Sequence, residues 1–197
     1  MTTQIMFKRG TAVYPALQHA ETKFKEAGQY KADLVFPEAD AKPYIDIIKK
    51  FVKEQTGKPH MPRPNAGGIG VLFYYPIDDD GNETGEVRFN LRANNIVKKD
   101  GSIWEKKPLV IDGNKQPTSA DAGGGSILSV KAELKAFQIK GGTMAVRMTP
   151  VAVQINKLVE RKAGEGMPDI SDFDDDDGFV DNGVAGFDGP EDGDDDY

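Results

Sequence analysis

Along much of the chain apolar and polar residues alternate with a period of two. In QYKADLVF, Tyr30, Ala32, Leu34 and Phe36 fall on one side and Lys31, Asp33 and Val35 on the other, the pattern of a strand with one buried face. IGVLFYYPI, from Ile69, is a more continuous apolar run. The turn residues DDDGNETG separate it from EVRFNLRA, where Val87, Phe89 and Leu91 share one face and Arg88, Asn90 and Arg92 the other. The two runs are expected to pair as a hairpin with the arginine face outward. Further strands are predicted in PLVID from Pro108, SILSVKAELKAFQI from Ser126 and TMAVRMTPVAVQI from Thr143, the last two reversing at Gly141 and Gly142.

One segment follows the helical period instead. In ADAKPYIDIIKKFVKEQTG, Tyr44, Ile47, Ile48, Phe51 and Val52 recur at i, i+3, i+4, i+7 and i+8, with Asp40 as cap, Pro43 in the first turn and Gly57 at the exit. A single helix among six or seven short strands predicts a mostly β protein. The layout expected is an OB-fold-like five-stranded Greek-key barrel with extra strands and one inserted α-helix. TGKPHMPRPNAGGIG, between the helix and the third strand, reads as a long surface loop.

Charge divides the chain in two. From Asp169 to Tyr197 there are thirteen acidic residues and no Lys or Arg, so the formal charge of −7 joins an acidic tail to a body with 25 basic and 19 acidic residues. The expected domains are 1–168, the OB-fold body, and 169–197, an acidic tail with the composition of disorder. Phe173, Phe179, Phe187 and Tyr197 are spaced through the acid, and with Asp194, Asp195 and Asp196 they suit anchoring to a partner protein. A plain solubilising tail is the alternative.

Catalytic chemistry finds little footing. The absence of Cys excludes disulfides, a thiol nucleophile and thiolate metal sites, and suits a reducing cytosol. The opening MTTQIMFKRG has no secretory apolar run, and no stretch nears the roughly 20 apolar residues that span a bilayer, so a soluble intracellular protein is expected. His19 and His60 have no metal-ligand spacing. AGGGS, from Ala122, lacks the Lys and Ser/Thr of a phosphate loop, and the calcium-loop likeness at Asp78 puts Pro76 and Val87 at ligand positions. No enzyme activity, metal or cofactor is expected.

What the body does carry is aromatic rings interleaved with cations, the mixture that single-stranded nucleic acid requires: cations follow the phosphates and rings stack on bases. EVRFNLRANNIVKKDGSIWEKKP places Arg88, Arg92, Lys98, Lys99, Lys106 and Lys107 around Trp104, which reads as a loop residue. VKAELKAFQIKGG adds Lys131, Lys135 and Phe137, and Tyr75 completes the candidate DNA-binding set. The competing account makes Trp104 and Phe137 core residues and the lysines a solvated face.

QYKADLVFP followed by a helix, WEKKPLVIDG, and GGGSILSVKAELKAF leading into GGTMAVRMTPVAVQI resemble phage-encoded single-stranded-DNA-binding proteins, the group typified by that of an Enterobacter phage. The resemblance runs from about Ile5 to Tyr197. It implies an OB-fold, sequence-tolerant binding of single-stranded DNA in replication and recombination, and a tail that contacts replication proteins such as a polymerase, helicase or primase. It also implies the cytoplasm of an infected bacterial host. One departure is the last residue, Tyr197, where related phage proteins commonly end in Phe. Two other readings stay open at this point: an acidic-tailed interaction module or DNA mimic, and an RNA-binding OB protein.

Overall fold

The computed structural model describes residues 2–23, 25–59, 71–139, 142 and 144–161. In chain order these form β1 (Thr2–Glu21), β2 (Gln29–Pro37), α1 (Glu38–Thr56), β3 (Phe73–Tyr74), β4 (Glu86–Phe89), β5 (Arg92–Asn94), β6 (Ile96–Val97), β7 (Ile103–Trp104), β8 (Leu109–Ile111), β9 (Ile127–Gln138) and β10 (Met144–Lys157). They lie within one compact unit, Met1–Ala163.

The longest strand is the one that sequence alternation hides. Burial along β1 changes phase twice, from Ile5 and Phe7 to Gly10 and Ala12, then to Pro15, Ala16 and Leu17. The changes fall at Arg9 and Tyr14, whose φ of 57° and 44° are left-handed. There the register slips against β9 between Phe7 and Gly10, and against β2 between Val13 and Ala16. Each slip is a bulge, which adds a residue to one strand and bends it. The bent β1 thus serves two neighbours, β9 along its first half and β2 along its second.

The main sheet runs β3-β4-β2-β1-β9-β10-β8, with β5 also paired to β2. Its ladders are antiparallel except the parallel pair β8–β10. β5 approaches β10 without a ladder, which brings the two flanks together as a partly open OB barrel. The hairpin between β3 and β4 forms as expected, with Val87, Phe89 and Leu91 fully buried. Asp78 turns it, its Oδ1 accepting the backbone N–H groups of Asp80 and Asn82.

α1 packs against β1, β2, β4, β9 and β10 and fills the barrel interior from one side. Its buried stripe is Ala41, Ile45, Ile48, Phe51 and Val52, with Tyr44 half-buried. Ile47, expected inside, is exposed, because the stripe follows Ala41–Ile45–Ile48–Val52 and turns Ile47 aside. The helix also starts two residues before the expected Asp40 cap, at Glu38, with Pro37 as N-cap and no side-chain cap. Glu38 and Asp40 instead place negative charge in the first turn. Pro43 lies inside the helix, and Gly57 at φ 70° closes it. Phe7, Phe36, Tyr44, Phe73 and Phe89 form the aromatic centre of the core, with ring centroids 4.8–6.2 Å apart. Most of the loop expected at residues 56–70 lies outside the described residues.

Candidate nucleic-acid interface

Immediately after β5 the chain leaves the barrel as a two-stranded ribbon, β6–β7, in which Ile96 faces Trp104 and Val97 faces Ile103. All four side chains are exposed. Lys98 and Lys99 lie at its tip, where Asp100 Oδ1 accepts hydrogen bonds from the Ser102 N–H and hydroxyl. The ribbon is fixed at its base. Asn95 donates to the Ala27 carbonyl and accepts from the Lys106 N–H, while the Tyr30 hydroxyl donates to Glu105. Trp104 is therefore a strand residue and not a loop residue, and with 55% of its surface exposed it is not part of the core.

Alternation along β7 sends its side chains two ways. Ile103, Glu105 and Lys107 line an open hollow of about 410 Å³ with His19, Glu26 and Tyr30. Trp104 and Lys106 belong to the other side, where the Lys106 ammonium stands 5.3 Å from the Trp104 ring centre. Partial burial, then the charges of Arg147 and Lys135, push Lys106 below the ordinary lysine range. The cluster therefore joins the ribbon to the outer face of β9–β10. There Lys135 pairs with Arg147 across the strands, and the Arg147 guanidinium lies 5.5 Å from the Phe137 ring centre. Phe137 is half-buried, a platform beneath a cation and not a core ring.

Arg88 and Arg92 stand elsewhere, on β4 and β5, and meet Asp33 of β2. The Arg88 Nη2 is 3.1 Å from Asp33 Oδ2, and both terminal nitrogens of Arg92 reach the carboxylate, Nη2 at 2.8 Å. Asp33 also accepts the Leu91 N–H at 3.2 Å and is 1% exposed. The face looks outward as expected, yet the arginines are only part-exposed and Asp33 is buried beneath them.

The other expected residues scatter. Lys131 is exposed on β9 between Met6 and Ala152 of the neighbouring strands. Tyr75 is half-buried and edge-on to Phe73, and burial followed by Glu38 and Glu83 raises its hydroxyl above the ordinary range. Phe173, Phe179, Phe187, Asp194, Asp195, Asp196 and Tyr197 lie outside the described residues, as does the boundary at residue 168.

Three residues were missed. Arg147 is a single cation in an apolar run, and only its pairing with Lys135 brings it into the cluster. Asp33 read as a solvent-facing strand residue. Tyr14 sits in VYPAL, which looks like core, yet the bulge turns its ring outward until 69% is exposed, beside Val13, which pairs with Asp33. Among the described residues no three metal-ligating side chains converge, and no helix is long and apolar enough to cross a membrane.

No family model and no curated relative matches the chain. Solved structures do. The gp2.5 single-stranded DNA binding protein encoded by bacteriophage T7 is similar with a TM-score of 0.60 and 20% identity, over 92% of this chain and 100% of that one. The single-stranded DNA-binding protein from bacteriophage Enc34 is similar with a TM-score of 0.55 and 16% identity, over 86% and 88%. The same phage protein in complex with single-stranded DNA gives 0.57 and 13%, over 81% and 89%. The chain shares the fold of these phage proteins.

Proposed function

We propose that the chain binds single-stranded DNA without sequence preference, as a binding protein and not an enzyme, and does so in phage DNA replication and recombination in an infected bacterium. The observation that carries the reading is the cluster in which Trp104 with Lys106, and Phe137 with Arg147, set two rings against two cations beside Lys135. Accessible ring surface stacks on bases of any kind, and the cations beside the rings follow phosphates. The cluster stands on an OB barrel, a fold whose sheet face and connecting loops hold oligonucleotides, and one of the similar solved structures contains single-stranded DNA. The exposed Tyr14 ring of β1 and the Arg88–Arg92 pair of β4 and β5 offer the same kinds of group elsewhere on the barrel.

The acidic tail completes the reading. Thirteen tethered carboxylates compete with DNA for the cationic surface, and DNA binding releases them, with Phe173, Phe179, Phe187 and Tyr197, to a polymerase, helicase or primase. The test is titration of labelled single-stranded DNA, single-stranded RNA and duplex DNA at several salt concentrations. Preference for single-stranded DNA, with affinity falling steeply with salt, is expected. Equal affinity for duplex overturns the reading, and preference for RNA overturns its DNA half.

A further inference from the structure

A buried carboxylate beneath two arginines is an unexpected feature in a surface meant for an anion. Asp33 cancels one of two positive charges just where charge attracts phosphate. The geometry nevertheless argues for it. Arg88 and Arg92 arrive from different strands, β4 and β5, and both turn onto the same carboxylate. Asp33 is itself fixed, since its Oδ1 also accepts the Leu91 N–H. Arg88 Nε is buried with no hydrogen-bond partner among the described residues, and the guanidinium lies 6.0 Å from the Tyr74 ring centre, so Asp33 supplies the charged hydrogen-bond anchor of a head that the ring also flanks. Free arginines each lose several rotamers on meeting a phosphate, whereas guanidiniums already held on a buried anchor lose little.

We propose that Asp33 is a positioning residue for nucleic-acid binding: it holds Arg88 and Arg92 as one preorganised guanidinium pair, with one net positive charge, against the phosphates of a bound single strand. This rests on the reading of the chain as a single-stranded-DNA binder. The pair then acts as a rigid two-headed donor whose outward N–H groups face solvent beside the Tyr14 bulge. It contributes about one phosphate to the salt dependence of binding, not two, because only one unit of charge is uncompensated.

The sign of one substitution separates this from simple electrostatics. Asp33→Asn keeps the shape and the acceptor for the Leu91 N–H but removes the anchor charge, so the formal charge rises by one from −7. Attraction alone predicts tighter binding to DNA. Positioning predicts the reverse, a loss of about three- to tenfold in affinity for labelled oligo(dT), as expected when charge-assisted hydrogen bonds that orient a donor are lost. Wild-type or tighter affinity in a folded Asp33→Asn chain overturns the proposal. If that variant does not fold, Arg92→Lys decides, since it keeps the charge but cannot grip Asp33 with two nitrogens. A several-fold weaker complex with an unchanged salt slope supports positioning, and wild-type affinity overturns it. Absence of oligo(dT) binding by the unmodified full-length chain overturns instead the functional reading beneath it.

Discussion

The ammonium of Lys106 stands over the ring of Trp104, 5.3 Å from its centre, at the foot of an exposed ribbon. Neither partner is needed by the core, because the ring is more than half exposed and its ribbon partner Ile96 is exposed as well. Replacing Trp104 by Ala is therefore expected to weaken single-stranded DNA binding by about 1–3 kcal/mol, the usual cost of a lost stacking platform, with little change in melting temperature. Anisotropy titration and a thermal melt of the same sample check both halves. A large drop in melting temperature would return Trp104 to a structural role.

Lys106 makes the pH dependence of binding specific. Its ammonium is destabilised by partial burial and by Arg147 and Lys135, so it gives up its proton below the ordinary value of 10.5. As pH rises toward that value the cluster loses a cation, and DNA affinity is expected to fall. Lys106 itself does not add to alkaline unfolding. A lysine with a lowered folded-state pKa disfavours the fold while charged, so deprotonation through the folded pKa relieves the native state. Lys106→Arg, which stays charged throughout, is expected to flatten the affinity profile in the alkaline range. Parallel profiles for the two proteins would show that Lys106 does not report on DNA.

How much of this was legible in the sequence follows from what a period of two encodes. It tells which residues of one strand share a face, so Val87, Phe89 and Leu91 were read correctly as buried, and the hairpin turn at Asp78 was evident from its residues. It does not tell what lies on the next strand. Asp33 and the two arginines become one cluster only through the pairing of β2 with β4 and β5, and Arg147 joins Lys135 only through the β9–β10 register. β1 was missed because two left-handed residues reset its phase, so no single window of the sequence alternates for long. Ile47 was misplaced by one helical position because Ala41, too small to stand out as a marker, sets the stripe.

Tyr14 tests whether backbone strain here serves binding. A left-handed conformation costs an L-residue about 1–2 kcal/mol, and it accompanies an exposed ring at the bulge that follows Val13, the residue paired with Asp33. Tyr14→Gly removes both strain and ring. Its melting temperature is expected to match or exceed the wild type, while DNA affinity falls by about 1–3 kcal/mol. Unchanged affinity would remove Tyr14 from the interface.

Gly10 provides a contrast that leaves the interface untouched. A Cβ at this position would sit 2.6 Å from the Phe36 ring and 3.1 Å from Leu34 Cβ, in the middle of the aromatic core. Gly10→Ala is expected to destabilise the fold by about 1–3 kcal/mol through overpacking. Thermal melting should show a clear decrease, at about 2–4 °C per kcal/mol for a protein of this size. Well below the melting temperature, DNA affinity should equal that of the wild type.

The tail offers the widest contrast between attraction and competition. A chain stopped at Pro168 loses thirteen carboxylates and keeps the basic excess of the body, 25 against 19. It is expected to bind single-stranded DNA more tightly than the full chain at low salt, since a tethered competitor has been removed. The difference should shrink as salt rises, because a Debye length of about 8 Å at physiological ionic strength screens the tail from the cationic face. Partner association should move the other way. Tyr197→Ala, with every acid intact, is expected to keep the salt-dependent competition but lose affinity for a replication partner, because charge steers while a buried ring supplies the anchor. Affinities of both shortened and full chains at low and high salt decide the first half: equal or weaker binding by the shortened chain at low salt would leave the tail as a solubilising segment that does not reach the cluster around Trp104.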